Sequence, residues 1–406
     1  MKHQTPILLI TGFLGSGKTT LVNKLLNNRR GIRFAVIVND IGEVNIDASL
    51  ISRDGIVGQK DDSLVALQNG CICCTLKMDL VEQLTELMKD SRFDYIVIEA
   101  SGICEPEPIA QTICSFPSMG EFINRYGTPR LDCVVTVVDA LRLKSEFESG
   151  GKLVGPGIDE EDIENLIIQQ IEFCNVIVLN KISEVSPEDA RKIKQIIRAL
   201  QPKAEIIEAD YADFDWDLIL NTGKFSFNEV ATSATWIREI EKPVAEIEKE
   251  EEHHHHHHDE HECDEHCTCH HHHHHPGHDG EGEAEEYGIS TFVYYRPKPF
   301  NANKFDYFVS RTWPKEIIRA KGICYFSDEP DICYLFEQAG VQKKLSNCGR
   351  WYATAPAEEL EQLKLQEPGL MRDWDAEYGD RMEKIVFIGR NMDRAAITAA
   401  LDDCLE

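Results

Sequence analysis

Gly12-Phe-Leu-Gly-Ser-Gly-Lys-Thr19 is the stretch that decides the fold. The apolar run Pro6-Ile-Leu-Leu-Ile-Thr11 precedes it, and Thr20-Leu-Val-Asn-Lys-Leu-Leu-Asn27 follows with the spacing of a helix. Strand, glycine-spaced loop and helix in this order form a phosphate-binding loop. Without side-chain bulk at Gly12, Gly15 and Gly17, successive backbone N–H groups can point at the β- and γ-phosphates, and the helix N-terminus adds its positive dipole end. Lys18, placed in a solvent-facing loop, supplies a point charge, and Thr19 supplies a hydroxyl for magnesium. The residues expected to touch the nucleotide here are Gly12, Gly15, Ser16, Gly17, Lys18, Thr19 and Thr20. An accidental glycine-rich turn is the alternative, but chance rarely supplies the flanking strand and helix as well.

With 406 residues the chain is long enough for about two domains, each with its own core. The net charge of -29 argues against a nucleic-acid partner, because a phosphate backbone requires a basic face. Residues 246–286 hold fifteen Asp or Glu against one Lys and so carry -14 of that charge. No apolar run approaches a membrane span, and the residues before the loop do not fit a signal peptide. The 14 cysteines then read as reduced thiols in a cytoplasmic protein, ordinary buried Cys being the bland alternative.

From residue 6 to about 208, Phe34–Val38, Tyr95–Ile98, Cys133–Val138, Val176–Leu179 and Glu205–Ile207 read as strands. Continuous β-branched runs suit strands buried on both faces, hence a parallel sheet with helices on both faces. Leu80–Met88 and Ala190–Leu200 carry the 3.6-residue spacing of core-facing helices. The spacing predicts a nucleotide-binding domain over 1–222, an acidic flexible linker over 223–287 and a smaller α+β domain over 288–406. In the last of these, 289–295 and 384–388 read as strands and 301–312 and 392–405 as helices.

Glu99-Ala-Ser-Gly102 closes the third strand as E-x-x-G, where many nucleotide hydrolases carry D-x-x-G. A carboxylate there can hold a magnesium-bound water, and the glycine can bring its N–H to the γ-phosphate. Lys18, Glu99 and Gly102 are therefore the expected catalytic residues. After Val176–Leu179, Asn180-Lys-Ile-Ser183 stands where guanine-binding proteins carry N-K-x-D. In that motif the Asp accepts two hydrogen bonds from the guanine edge. A neutral hydroxyl at Ser183 is not a two-oxygen acceptor. Glu184 is the expected substitute beside Asn180 and Lys181, with relaxed or adenine binding as the alternative.

Gly70-Cys-Ile-Cys-Cys74 places three thiols, Cys71, Cys73 and Cys74, within four residues, as a soft ligand set for zinc or a similar metal. Structural or redox thiols are the alternative, although the spacing is not that of a C-x-x-C dithiol. A second cluster comprises His253, His254, His255, His256, His257, His258, His261, Cys263, His266, Cys267, Cys269, His270, His271, His272, His273, His274, His275 and His278. The runs are internal, doubled and interleaved with Cys and acids, unlike a purification tag. Imidazole and thiolate together favour zinc, nickel, cobalt or copper at several exchanging sites.

These motifs together resemble the CobW branch of the CobW/HypB/UreG family of P-loop GTPases, whose members handle zinc, cobalt or nickel. The C-x-C-C placed between the loop and the E-x-x-G is its most specific element. In the C-terminal part, Ile318-Arg-Ala-Lys-Gly-Ile323 and Gly349-Arg-Trp351 are similar to the CobW C-terminal domain. The resemblance implies a GTPase using GTP and magnesium, with zinc as cargo, cobalt or nickel being the alternatives, and a client metalloprotein as partner. It also implies a metal-coordinating first switch in Asn39-Asp-Ile-Gly-Glu43, through Asp40 or Glu43. Two positions depart from the family pattern: Ser183 replaces the guanine-reading Asp, and Val38 stands where some relatives carry a further switch carboxylate. A metal-storage protein with a structural nucleotide site and a cobalt chaperone for corrin synthesis are the rival readings.

Overall fold

The computed structural model describes residues 4–27, 30–38, 77–90, 92–120, 123–149, 160–247, 249, 288–340, 342–366 and 368–406. They divide into two compact units, Met1–Thr235 and Trp236–Glu406.

In the first unit, β1 (Gln4–Thr11), β2 (Phe34–Val38), β3 (Tyr95–Glu99), β4 (Thr128–Asp139), β5 (Val176–Asn180) and β6 (Glu205–Glu208) form a parallel sheet in the order β2-β3-β1-β4-β5-β6. Every residue of β2, β3 and β5 is buried, so both sheet faces are covered, as their Val/Ile runs demand. The crossovers use α1 (Lys18–Leu26), α2 (Lys77–Asp90), α3 (Pro106–Ser115), α4 (Ala140–Ser149), α5 (Glu160–Glu172) and α6 (Pro187–Leu200). In α6, Ser186 caps the N-terminus by accepting the Asp189 N–H at 3.1 Å, and Pro187 occupies the first turn. Its Ala190, Ile193, Ile197 and Leu200 then face the core.

The chain moves from β1 to one side of the sheet and, after β3, crosses to the other. This makes the C-terminal end of β1 a topological switch point, where open α/β sheets bind ligands. Register brings four sequence-predicted segments to that edge. Ile10 pairs with Glu99, Val38 with Glu99, Thr11 with Thr136, and Asp139 with Asn180.

At the opposite end, Asp132 is fully buried, accepting from Tyr95 Oη at 2.7 Å and from the Thr222 and Gly223 N–H groups at 2.9 and 3.0 Å. Helical turns continue beyond it as α7 (Phe227–Ala231) and α8 (Thr235–Ile240), in a stretch whose sequence pattern suggests only a linker. Five and six residues are too short to display a helical period.

The second unit is a five-stranded antiparallel sheet, in the order β10-β9-β8-β11-β7. Its strands are β7 (Ile289–Arg296), β8 (Ile317–Phe326), β9 (Glu329–Ala339), β10 (Gln342–Arg350) and β11 (Glu383–Arg390). The helices are α9 (Ala302–Tyr307), α10 (Ala357–Gln366) and α11 (Arg394–Asp402). The core is aromatic: Phe300 and Phe305 stack at 4.7 Å, and Phe336 meets Phe305 edge-on at 5.4 Å. The helix expected over 301–312 is divided, because after α9 the backbone widens into a π-turn at Phe308–Thr312.

Candidate nucleotide site

The loop between β1 and α1 is shaped by its glycines at two close approaches. Gly17 sits at φ 109°, and a Cβ there would lie 2.4 Å from Asn180 Nδ2. Gly102, reaching over from the end of β3, would drive a Cβ to 2.7 Å from the Leu14 backbone nitrogen. Any side chain at either position separates two pieces of the site.

Lys18 is only 7% exposed, contrary to the expected solvent-facing position, and its Nζ donates to Phe13 O at 3.1 Å. The loop folds back over its own lysine, and its Phe13 carbonyl holds the ammonium. Thr19 Oγ1 donates to Glu99 Oε1 at 2.8 Å, and Glu99 is buried. A hydroxyl and a carboxylate in contact form a hard oxygen donor set, of the kind magnesium takes. Thr20 is exposed on the first turn of α1.

Asn180 is buried and joins three segments. Its Nδ2 donates to Ser16 O at 2.8 Å, and its Oδ1 accepts the Ala212 N–H at 2.9 Å. Lys181 follows in the left-handed region at φ 59° and pairs with Asp139. Glu184 is exposed, in the 3₁₀ turn Ile182–Glu184. The structure therefore brings Gly12, Gly15, Ser16, Gly17, Lys18, Thr19, Glu99, Gly102, Asn180 and Lys181 to one edge of the first sheet.

Several residues at this edge go unnoticed in the sequence. Gln170 of α5 is 1% exposed, and its Nε2 donates to Gly102 O at 3.2 Å and to Cys104 O at 3.1 Å, holding the segment after Glu99. Asp139 accepts from the Arg142 N–H at 3.1 Å as well as from Lys181. The Arg142 guanidinium lies 4.1 Å over the Phe13 ring. Asp210 holds Ser183, accepting from its N–H at 3.0 Å and its hydroxyl at 2.9 Å. None of these belongs to a short motif; only packing across the sheet edge reveals them.

The expected metal ligands Asp40, Glu43, Cys71, Cys73 and Cys74, and the tract from His253 to His278, lie outside the described residues. Among the described residues no group of three or more His, Cys, Asp or Glu could hold a metal ion. The described cysteines are free thiols, and burial pushes Cys174 and Cys333 up to about 12, which keeps them protonated and poor as ligands. No helix among the described residues is long and apolar enough to cross a membrane.

A parallel sheet with a glycine loop, lysine and threonine at its switch point, and a carboxylate on the neighbouring strand, defines a P-loop nucleoside-triphosphate hydrolase. Residues 6–208 match the CobW/HypB/UreG nucleotide-binding domain, and residues 289–405 match the cobalamin synthesis protein cobW C-terminal domain. The chain belongs to the CobW/HypB/UreG family of P-loop GTPases. It is 34% identical over 418 residues to zinc-regulated GTPase metalloprotein activator 1 of Dictyostelium discoideum, spanning 99% of this chain and 80% of that protein. It is 32% identical over 233 residues to the zinc chaperone YjiA of Escherichia coli, spanning 56% of this chain and 64% of that one. Among solved structures, zinc-bound YjiA GTPase from E. coli aligns over 100% of both chains at 20% identity with a TM-score of 0.40.

Proposed function

We propose that this chain is a cytoplasmic metallochaperone that couples GTP binding and hydrolysis to the binding and transfer of a metal ion, zinc in the first place, to a client metalloprotein. The observation that carries this reading is the register of β2 and β3. Val38, the last residue of β2, pairs with Glu99, and the sequence bearing Cys71, Cys73 and Cys74 runs from that point to α2 at Lys77. The thiols expected to bind metal are thus covalently continuous with the strand that lies beside the carboxylate expected to hold a magnesium-bound water. A coupling free energy between the two sites needs such shared elements. Relatives named as a zinc-regulated GTPase activator and as zinc chaperones support zinc as the cargo.

In this reading the N–H groups of Gly12–Thr20 and the Lys18 ammonium bind the phosphates. Thr19 and Glu99 would hold magnesium, which when bound neutralises charge on the β- and γ-phosphates. Gly102, fixed by Gln170, brings its N–H to the γ-phosphate, where negative charge develops during transfer to water. Hydrolysis removes the group that Gly102 senses and so lowers metal affinity at the thiols. The His/Cys tract would collect metal, and the C-terminal unit would meet the client.

The test is zinc titration of the full chain with a nonhydrolysable GTP analogue, with GDP, and without nucleotide. GTP should tighten zinc binding at the thiols, and zinc should tighten GTP binding by the same factor, a reciprocity lost when Cys71, Cys73 and Cys74 become serine. Equal zinc affinity in all three nucleotide states would favour a storage protein with an uncoupled nucleotide site.

A further inference from the structure

The guanine edge presents two adjacent donors, N1–H and the 2-amino group, and Ser183 cannot accept both. The carboxylate that faces Ser183 belongs to the neighbouring loop. β5 and β6 pair in parallel with Leu179 opposite Glu208, so the segments leaving their C-terminal ends run side by side. The Ile182 N–H donates to Ala209 O at 3.2 Å, binding those segments together. Asp210 follows, and its Oδ1 accepts both the N–H and the hydroxyl of Ser183. Tyr211 and Ala212 both take φ 53°, a left-handed pair that turns the chain back so that the Ala212 N–H reaches Asn180 Oδ1. Asn180 in turn donates to Ser16 O in the phosphate loop. Asp210 is therefore fixed relative to Asn180 and to the phosphates.

From this geometry we infer that Asp210 reads the guanine edge, with Ser183 as its positioning residue. The inference rests on guanine nucleotide binding at the Gly12–Thr19 loop. A carboxylate offers about four acceptor positions, and Ser183 takes two. The loop's other acids are engaged away from Ser183: Asp213 pairs with Lys24 at 3.1 Å, and Asp215 and Asp217 pair with Arg30. Glu184, the choice from sequence, is exposed, and among the described residues no side-chain hydrogen bond holds its carboxylate. A longer, unheld side chain loses more rotamer freedom on binding than one fixed beforehand. Ser183 and Asp210 together thus supply a carboxylate braced by a serine, with the acid on the β6 loop instead of the β5 loop.

Xanthine differs from guanine by a carbonyl in place of the 2-amino group, so an amide at the reading position inverts the preference. Asp210→Asn keeps the acceptor for Ser183 and converts the other oxygen to a donor. Affinities of the full-length protein for GTP, XTP and ATP are measured with and without this change, and with Glu184→Gln. Asp210→Asn should weaken GTP about 100-fold, the scale of a lost charge-assisted hydrogen bond, and strengthen XTP by a comparable factor. Ser183→Ala should weaken GTP only a few-fold, since its N–H still holds Asp210. An unchanged GTP-to-XTP ratio in Asp210→Asn overturns the assignment, and a ratio moved by Glu184→Gln instead transfers it to Glu184. A parallel loss for all three nucleotides also overturns it, because that marks a merely structural residue, whereas failure of the unaltered protein to bind any triphosphate would strike at the nucleotide site itself. Should Asp210→Asn not fold, Asp210→Ala carries the test: loss of the GTP preference over XTP and ATP supports the inference, and an unchanged preference overturns it.

Discussion

Single atoms decide whether the role proposed for Gly102 can be filled. Its Cα lies so close to the phosphate loop that an added methyl would meet the Leu14 nitrogen at 2.7 Å. Backbone cannot yield there as a side-chain tip can, so Gly102→Ala must push the segment after β3 away from the loop. On the proposed mechanism the Gly102 N–H would then miss the γ-phosphate, while the loop expected to bind the rest of the nucleotide stays in place. Gly102→Ala is expected to lower kcat for GTP about 10- to 100-fold with a much smaller change in nucleotide affinity, the scale at which misplacement of about an ångström acts. Steady-state hydrolysis together with equilibrium binding of a GTP analogue checks this. A loss confined to affinity, with kcat intact, would show that Gly102 serves only binding.

Elements show what the sequence could and could not disclose. The phosphate loop was legible because its parts are contiguous: strand, glycines, Lys18, Thr19 and helix α1 occupy Gln4–Leu26 without interruption. The buried strands were legible because Val and Ile runs have no other purpose in a polar chain. β9 and β10 were not. Most of their residues are half-buried or exposed, their one apolar run, Ile332–Phe336, is short and set among charged and polar neighbours, and the pairing of β9 with β8 and of β10 with β9 supplies what composition does not. The bracing residues Gln170, Asp139 and Asp210 stayed hidden for a similar reason, since each acts on a segment distant in sequence.

Glu383 on β11 also escaped notice, and it has a consequence in solution. It is fully buried and accepts the N–H groups of Phe300 at 3.1 Å and Tyr325 at 3.3 Å, yet burial outweighs these bonds and holds its carboxyl well above the ordinary range. A carboxyl raised in the folded state stabilises fully below its unfolded value, roughly 4.3, and that contribution drains away as pH rises toward the folded value. Glu383→Gln removes the ionisation. Its stability relative to the natural protein should therefore grow with pH, by up to about 1.4 kcal/mol per pH unit across this window. Urea unfolding of both full-length proteins between pH 5 and 8 measures it. A constant difference across that range would mean that Glu383 does not change its protonation on unfolding.

At the scale of the whole molecule, the span of the second unit includes a sequence of quite different character. Residues 246–286 carry -14 of the total charge of -29 and fifteen of the 16 histidines, and few of them are apolar enough to enter a core. Among the described residues, the last strand of the first sheet ends at Glu208 and the first strand of the second begins at Ile289. The cores and the tract should therefore be energetically separable. Deleting residues 253–278 is expected to leave the thermal unfolding of both units within about 2 °C while removing several equivalents of bound zinc. The zinc that is lost should be the pH-sensitive share, because imidazoles protonate between about pH 7 and 5 and then cease to be ligands, whereas a thiolate site follows a different profile. Zinc stoichiometry at pH 7 and pH 5.5, for the full chain and the deletion, separates the two populations. If the deletion lowered the unfolding temperature of either unit by more than 5 °C in the absence of metal, the tract would be part of a core and its separate role in collecting metal would fall.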